Sequence, residues 1–228
     1  MVSNGVLELQ AMGNLVLSNG SDVLKNMFPN VFVVDEEFQV KDIMHSFSED
    51  ELYYQKMLGV RKVMSGETVY HRICELLCTI GMDVVMPIRR VAVVVKEDSE
   101  KVREMFCLQS YQEKEMLLAG ELSDGVLVKY DFIAYFSEDA KYGSHYLEDM
   151  INAFKYTDVD FVTKCAYVLN GRLVAGVEHD YVDRYEDKAK TVFSTRNYRL
   201  LDELDDCVGL GYAGDRFEFE INTDKEMR

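Results

Sequence analysis

Between residues 14 and 35 two short apolar runs, NLVLSN and VFVVD, flank a polar turn and a helix-sized stretch, GSDVLKNMF. Runs of that length around such a segment predict a β-α-β unit. From Glu36 to Gly81 the spacing turns helical, with Val40, Ile43, Met44 and Phe47 on one stripe and Leu52, Met57, Val60 and Met64 on the next. Ser48 followed by Glu51 predicts a capping box at the second of these helices, while Gly59 is a flaw within it. A third helix, from about Thr68 to Ile80, stops at Gly81, as a helix with a C-terminal glycine cap would.

The segment MDVVMPIRR carries one of the two prolines and a basic pair, and a new pattern starts after it, so a domain boundary is expected near Pro87. A strand at 91–95 (VAVVV), a helix over about 99–109, a strand over 115–119 and a further strand in YDFIAYF follow in order. A helix from about Ser144 to Tyr156 leads into DFVTKCAYVLN and RLVAGVEH, read as two strands joined at Asn170-Gly171, a strong hairpin-turn dipeptide. FEFEI near the end alternates like an edge strand. The pattern as a whole is that of an α/β protein.

A net charge of −16 would repel a phosphate backbone, and no Lys/Arg cluster offsets it, so nucleic acid is excluded as an expected partner. No apolar run approaches the roughly 20 residues of a membrane span. The opening MVSNGVLELQAMG lacks a basic leader and carries Glu8 within its first apolar stretch, which is not a secretory signal. Five scattered cysteines, an odd number, fit reduced thiols in a cytoplasmic protein, most of them as small core residues.

Two stretches resemble sugar transferases. GVLELQAMGNLVLSN, FPNVFVV and GVRKVMSGETVYHRICELL resemble the closing part of the C-terminal, Rossmann-like half of GT-B glycosyltransferases. The resemblance implies that residues 1–86 are the C-terminal portion of a nucleotide-sugar-binding domain, with Glu8 at the family's ribose-binding acid. A carboxylate at a helix start suits two ribose hydroxyls, and the helix amino terminus suits phosphate. A solvated carboxylate favoured by the helix dipole is the plainer reading of Glu8. The family's preceding half-sheet and its phosphate-contacting basic residues would lie before Met1.

The second stretch, VAVVV…EKVREMFCLQSYQEKEMLLAGE followed by YFSEDAKYGSHYLEDMINAFKYTDVDFVTKCAYV, resembles the GT-A glycosyltransferases. It implies that residues 87–228 are a shortened GT-A-like domain, a mixed sheet with flanking helices. In that family an acidic cluster ending a strand holds a divalent cation, Mn or Mg, that neutralises the donor diphosphate. Here the run is Ser137-Glu138-Asp139, so Glu138 and Asp139 are the implied metal ligands and one acid has become serine. Glu121 matches the family's base-recognising acid, although too few residues separate it from Ser137 for a complete nucleotide pocket. KAKTVFSTRNY looks like the acceptor-side strand, and in GYAGDRFEFE Asp215 matches the catalytic general base. An acid after a glycine is also an ordinary turn residue.

Other constellations are weaker. Gly209-Leu-Gly-Tyr-Ala-Gly214 satisfies G-x-G-x-x-G, but the strand-like residues that follow it are not the helix this fingerprint needs. His71, Cys74 and Cys78 share a helix face without a fourth zinc ligand, and core cysteines with a surface histidine are the default. His145 and His179 each neighbour a carboxylate, Asp139 and Asp180, as chance provides in a chain with 41 acidic residues. Tyr142, Tyr146 and Tyr156 could stack on sugars, but packing is the expected role.

Three functions follow from these readings. The first is a glycosyltransferase moving a sugar from a nucleotide-sugar donor to a hydroxyl on a carbohydrate or glycosylated acceptor. The second is a non-catalytic binding or assembly module that keeps the fold without the donor pocket. The third is one segment of a longer transferase, completed by a protein partner.

Overall fold

A computed structural model describes residues 4–19, 22–84, 86–196 and 209–222, and it divides into two compact units, Met1–Met86 and Pro87–Arg228. In the first unit, α1 (Asn4–Ala11) leads to β1 (Leu17–Ser18), α2 (Asp22–Met27) and β2 (Phe32–Val33). The two strands pair in parallel across the intervening helix, as the pattern of residues 14–35 predicts. Helices α3 (Glu37–Ser46), α4 (Glu49–Gly66) and α5 (Val69–Thr79) follow. The expected capping box forms: the Ser48 N–H donates to Glu51 Oε2 at 2.8 Å and the Glu51 N–H to Ser48 Oγ at 3.3 Å. Gly81, at φ +82, closes α5 with its N–H on the Cys78 carbonyl.

Val16, Leu24, Phe28, Val31 and Val63 form this unit's core. Gly59 is a packing requirement in α4 rather than a flaw. A Cβ there would sit 3.0 Å from Asn30 Nδ2 and 3.3 Å from two Gln10 atoms. The Gln10 amide is fully buried, yet neither its nitrogen nor its oxygen has a hydrogen-bond partner among the described residues. Burying such an amide costs about 1–3 kcal/mol, so Gln10→Met, which keeps the length and removes the polar group, is expected to stabilise the unit by about that amount. A rise in the urea midpoint at unchanged m-value would report it. An unchanged or lowered midpoint would mean that the amide is satisfied.

In the second unit a mixed sheet is built from β3 (Val91–Val95), β4 (Lys114–Leu118), β5 (Phe132–Phe136), β7 (Phe161–Thr163), β10 (Asp180–Val182), β11 (Thr191–Ser194) and β12 (Gly211–Ala213). Its order is β10-β12-β7-β11-β5-β3-β4. Strands β4, β3, β5, β7 and β12 run one way and β11 and β10 the other. β3 is buried at every residue because both faces of the sheet are covered. On one face Val91, Val93, Phe132, Phe136 and Val162 meet α6 (Glu100–Leu108) and α8 (Tyr146–Ala153). On the other, Ala92, Val94, Ile133, Phe161 and Phe193 meet Leu127 of α7 (Asp124–Leu127) and Tyr130.

α8 buries Leu147, Met150 and Ile151 at i, i+3 and i+4 spacing, each worth about 1.5–3 kcal/mol. Buried Gln109 ties its start to the end of α6. Its Oε1 accepts the Leu147 N–H at 3.0 Å, and its Nε2 donates to the Gly143 carbonyl at 2.8 Å and the Met105 carbonyl at 3.2 Å.

A second sheet has the order β6-β13-β8-β9, from β6 (Ala140–Tyr142), β8 (Tyr167–Leu169), β9 (Arg172–Val174) and β13 (Phe219–Ile221). The Asn170-Gly171 hairpin is present, both residues at positive φ, 49° and 75°, as a type I′ turn requires. Two expectations are corrected here. DFVTKCAYVLN is not one strand but β7 and β8, in different sheets. FEFEI contributes β13, an interior strand flanked by β6 and β8 rather than an edge, because alternation reports one solvated face and not a missing neighbour.

The described cysteines are also not core residues. Cys74 and Cys165 are half-buried and Cys78 and Cys107 exposed, while Cys207 lies outside the described residues. Among the described residues no helix is long and apolar enough to cross a membrane.

Candidate functional site

Parallel strands with crossover helices present their carboxyl ends to ligands, above all where the connections diverge. Here β3 connects outward to β4 through α6, whereas β5 lies on the other side of β3, so the divergence falls between the ends of β3 and β5. The residues just past β5 are Ser137, Glu138 and Asp139, in the tight turn that carries the chain into β6.

This turn is held rigidly. Buried Tyr142 accepts the Ser137 N–H at 3.0 Å and shares its own proton between the Tyr135 carbonyl at 3.1 Å and the Ala189 carbonyl at 2.9 Å. It thereby ties the acidic turn to the short 3-10 turn Lys188–Lys190 that precedes β11. The Asn222 N–H donates to the Asp139 carbonyl at 3.0 Å, and Lys101 Nζ reaches the Glu138 carbonyl. With their backbone pinned, Glu138 and Asp139 are both solvent-exposed.

Glu121 and Asp215 lie past the ends of β4 and β12, on the same edge. Adjacent strands are about 4.8 Å apart, which puts Asp215 about 14 Å from the acidic turn and about 24 Å from Glu121. Glu121 is exposed and caps its own turn, accepting the Leu118 N–H at 2.8 Å. Glu8 belongs to the other unit. It is exposed in the second half of α1, not at the helix start where a ribose acid beside a phosphate-binding amino terminus would sit.

Asp215 is buried. Its Oδ1 accepts from Lys164 Nζ at 2.9 Å and from the Phe217 N–H at 2.8 Å. Burial by itself would raise its pKa, but attraction to Lys164, with the hydrogen bonds from Lys164 and Phe217, holds the carboxyl below its ordinary value. A carboxylate held this way is a weak proton acceptor.

Lys164, 1% exposed, follows β7 where a strand end would normally reach solvent. One cation inside the apolar stretch FVTKCAYV is itself a sequence signal of a buried partner. Beside it the Thr163 and Thr191 hydroxyls bond at 2.8 Å, and buried Lys190 lies 2.7 Å from Glu186 and 4.4 Å above the Tyr167 ring.

The remaining candidates fall elsewhere. His145 sits 3.0 Å from Glu148 and 3.1 Å from Ser110, not with Asp139. His71 bonds Thr68 in α5. His179 joins the Asp215 end of the edge, where burial lowers its pKa. Among the described residues no group of three or more His, Cys, Asp or Glu side chains is arranged to hold a metal ion.

No protein-family model matches the chain, and no curated protein does. The likeness to sugar transferases therefore rests on the motifs themselves. What the edge can do chemically follows from its groups: two exposed carboxylates on a fixed turn, a buried ammonium–carboxylate pair, and threonine hydroxyls between them.

Proposed function

We propose that this is a glycosyltransferase-like protein that takes a nucleotide-sugar donor at the carboxyl edge of the larger sheet and presents it to a hydroxyl acceptor. In this reading Pro87–Arg228 is a shortened GT-A-type domain, and Met1–Met86 is the C-terminal portion of a GT-B-type one. The observation that carries it is the pinned Ser137-Glu138-Asp139 turn at the divergence of β3 and β5, where α/β sheets take ligands.

Glu138 and Asp139 would hold a Mn or Mg ion. Two carboxylates suit such an ion when the ligand's phosphates complete its shell. When bound, the ion would neutralise charge on the donor diphosphate.

Calorimetry with UDP- and GDP-sugars in the presence of Mn²⁺ tests the reading. Heat with at least one donor, lost in Asp139→Asn, is expected. No heat with any of them removes it.

A second reading, a non-catalytic binding module, is favoured by one observation: Asp215, the acid matched to the family's base, is locked to Lys164. Turnover of a sugar nucleotide that is abolished by Asp139→Asn would sink this alternative.

A further inference from the structure

The outer strands of the larger sheet carry two tyrosines, and the segment after α8 a third, that the donor reading does not use. Tyr212 on β12 stands directly opposite Tyr181 on β10, so the two point to the same face, the one that packs on α8. Tyr212 is buried. Its ring meets Tyr181 at 6.0 Å and Tyr156, just past α8, at 5.8 Å, both edge to face.

The outer two rings are open: Tyr156 is 43% and Tyr181 55% exposed. Tyr156 and Tyr212 share a hydrogen bond between their hydroxyls, and burial raises the pKa of both phenols.

His179 stands at the start of β10 in the left-handed region, at φ 55°, a backbone state costly for a residue with a side chain and concentrated at functional sites. Its N–H donates to the Ala213 carbonyl at 2.7 Å, and its Nδ1 lies 3.3 Å from the Tyr212 hydroxyl. The Glu178–Arg216 ion pair, 2.6 Å, braces the backbone beside it.

We propose that Tyr156, Tyr181 and His179 form a subsite for an uncharged hexopyranose chain. The electron-rich ring faces attract the polarised C–H bonds on the flat side of a pyranose. The imidazole, on a fixed backbone, meets the Tyr212 hydroxyl and so helps to set the platform in place. Glu178 and Asp215 are already paired with Arg216 and Lys164, and Asp180 adds negative charge beside the platform in a chain of net charge −16, which disfavours acidic sugars and phosphates. The subsite rests on the transferase reading only in making this chain the acceptor; binding itself stands on the rings and the histidine.

The test titrates maltohexaose, cellohexaose and mannohexaose into the full chain carrying ¹³C-labelled tyrosine rings, followed by NMR. At least one of them is expected to shift the Tyr156 and Tyr181 ring signals. Tyr181→Ala, an exposed substitution, is expected to weaken that binding about fivefold to tenfold while Tyr181→Phe retains it. The inference is overturned if none of the three moves either ring, if Tyr181→Ala binds as tightly as wild type, or if UDP moves the rings and no saccharide does. Saccharide binding without heat from any nucleotide sugar keeps the subsite and removes the transferase reading. Donor heat with unmoved rings does the reverse.

Discussion

Lys164→Met is expected to destabilise the Pro87–Arg228 unit by about 3–5 kcal/mol, because it leaves the Asp215 carboxylate buried without its cation. The methylene stem is preserved, so the loss reports the charge and not a cavity. Lys164→Met combined with Asp215→Leu is expected to recover a large part of it, since replacing both members of a buried pair with apolar groups is far less costly than removing one. A double variant as unstable as the sum of the two single changes would show that the pair is not a coupled unit.

The pH dependence separates the variants further. In the wild type the Asp215 pKa lies below its unfolded value near 3.9, so its contribution is fully present above about pH 4 and is lost as pH falls through the native pKa. In Lys164→Met burial is left to dominate and raises that pKa. The unpaired carboxyl is then neutralised on acidification, and the deficit of the variant shrinks as pH falls. Urea unfolding between pH 7 and pH 3 would show the curves converging. Parallel curves would refute the assignment.

Tyr142→Phe is expected to cost about 2–4 kcal/mol. The hydroxyl satisfies the Ser137 N–H and shares one proton between two carbonyls, and a buried group left without its partner costs about 1–3 kcal/mol. The ring itself, stacked on Phe136 at 3.9 Å, is retained, so core packing is not the cause. The distinguishing measurement is amide exchange: the Ser137 N–H is expected to lose protection more than the interior of β5. An unchanged unfolding midpoint with Ser137 still protected would mean that the acidic turn holds without its phenol.

How much of this was legible beforehand depended on whether a neighbour in sequence was also a neighbour in space. The mixed α/β character was readable from local signals: the parallel pair across residues 14–35, the all-buried VAVVV strand, the Asn170-Gly171 turn. The partition of strands between two sheets was not, because at the break between β7 and β8 Lys164 is paired with Asp215, a partner 51 residues away. For the same reason the interior place of β13 was hidden.

At the site, Glu138, Asp139, Glu121 and Asp215 were found through motif likeness, and the fold puts them along one edge without gathering them into one cluster. Tyr142 carries no chemical signature at all. Its part comes from three backbone groups contributed by β5 and two separate turns, which no spacing rule encodes.

The smaller sheet has a consequence for the protein's birth. β6 is complete at residue 142, yet the strand it pairs with, β13, begins at residue 219. At about 5–20 residues per second, β6 and the β8–β9 hairpin emerge from the ribosome several seconds before the strand that joins them. The same late segment delivers Asp215 to the waiting ammonium of Lys164. Until then the nascent unit offers two bare strand edges and an unneutralised cation, so it depends on chaperones most in the interval before residues 215–221 emerge.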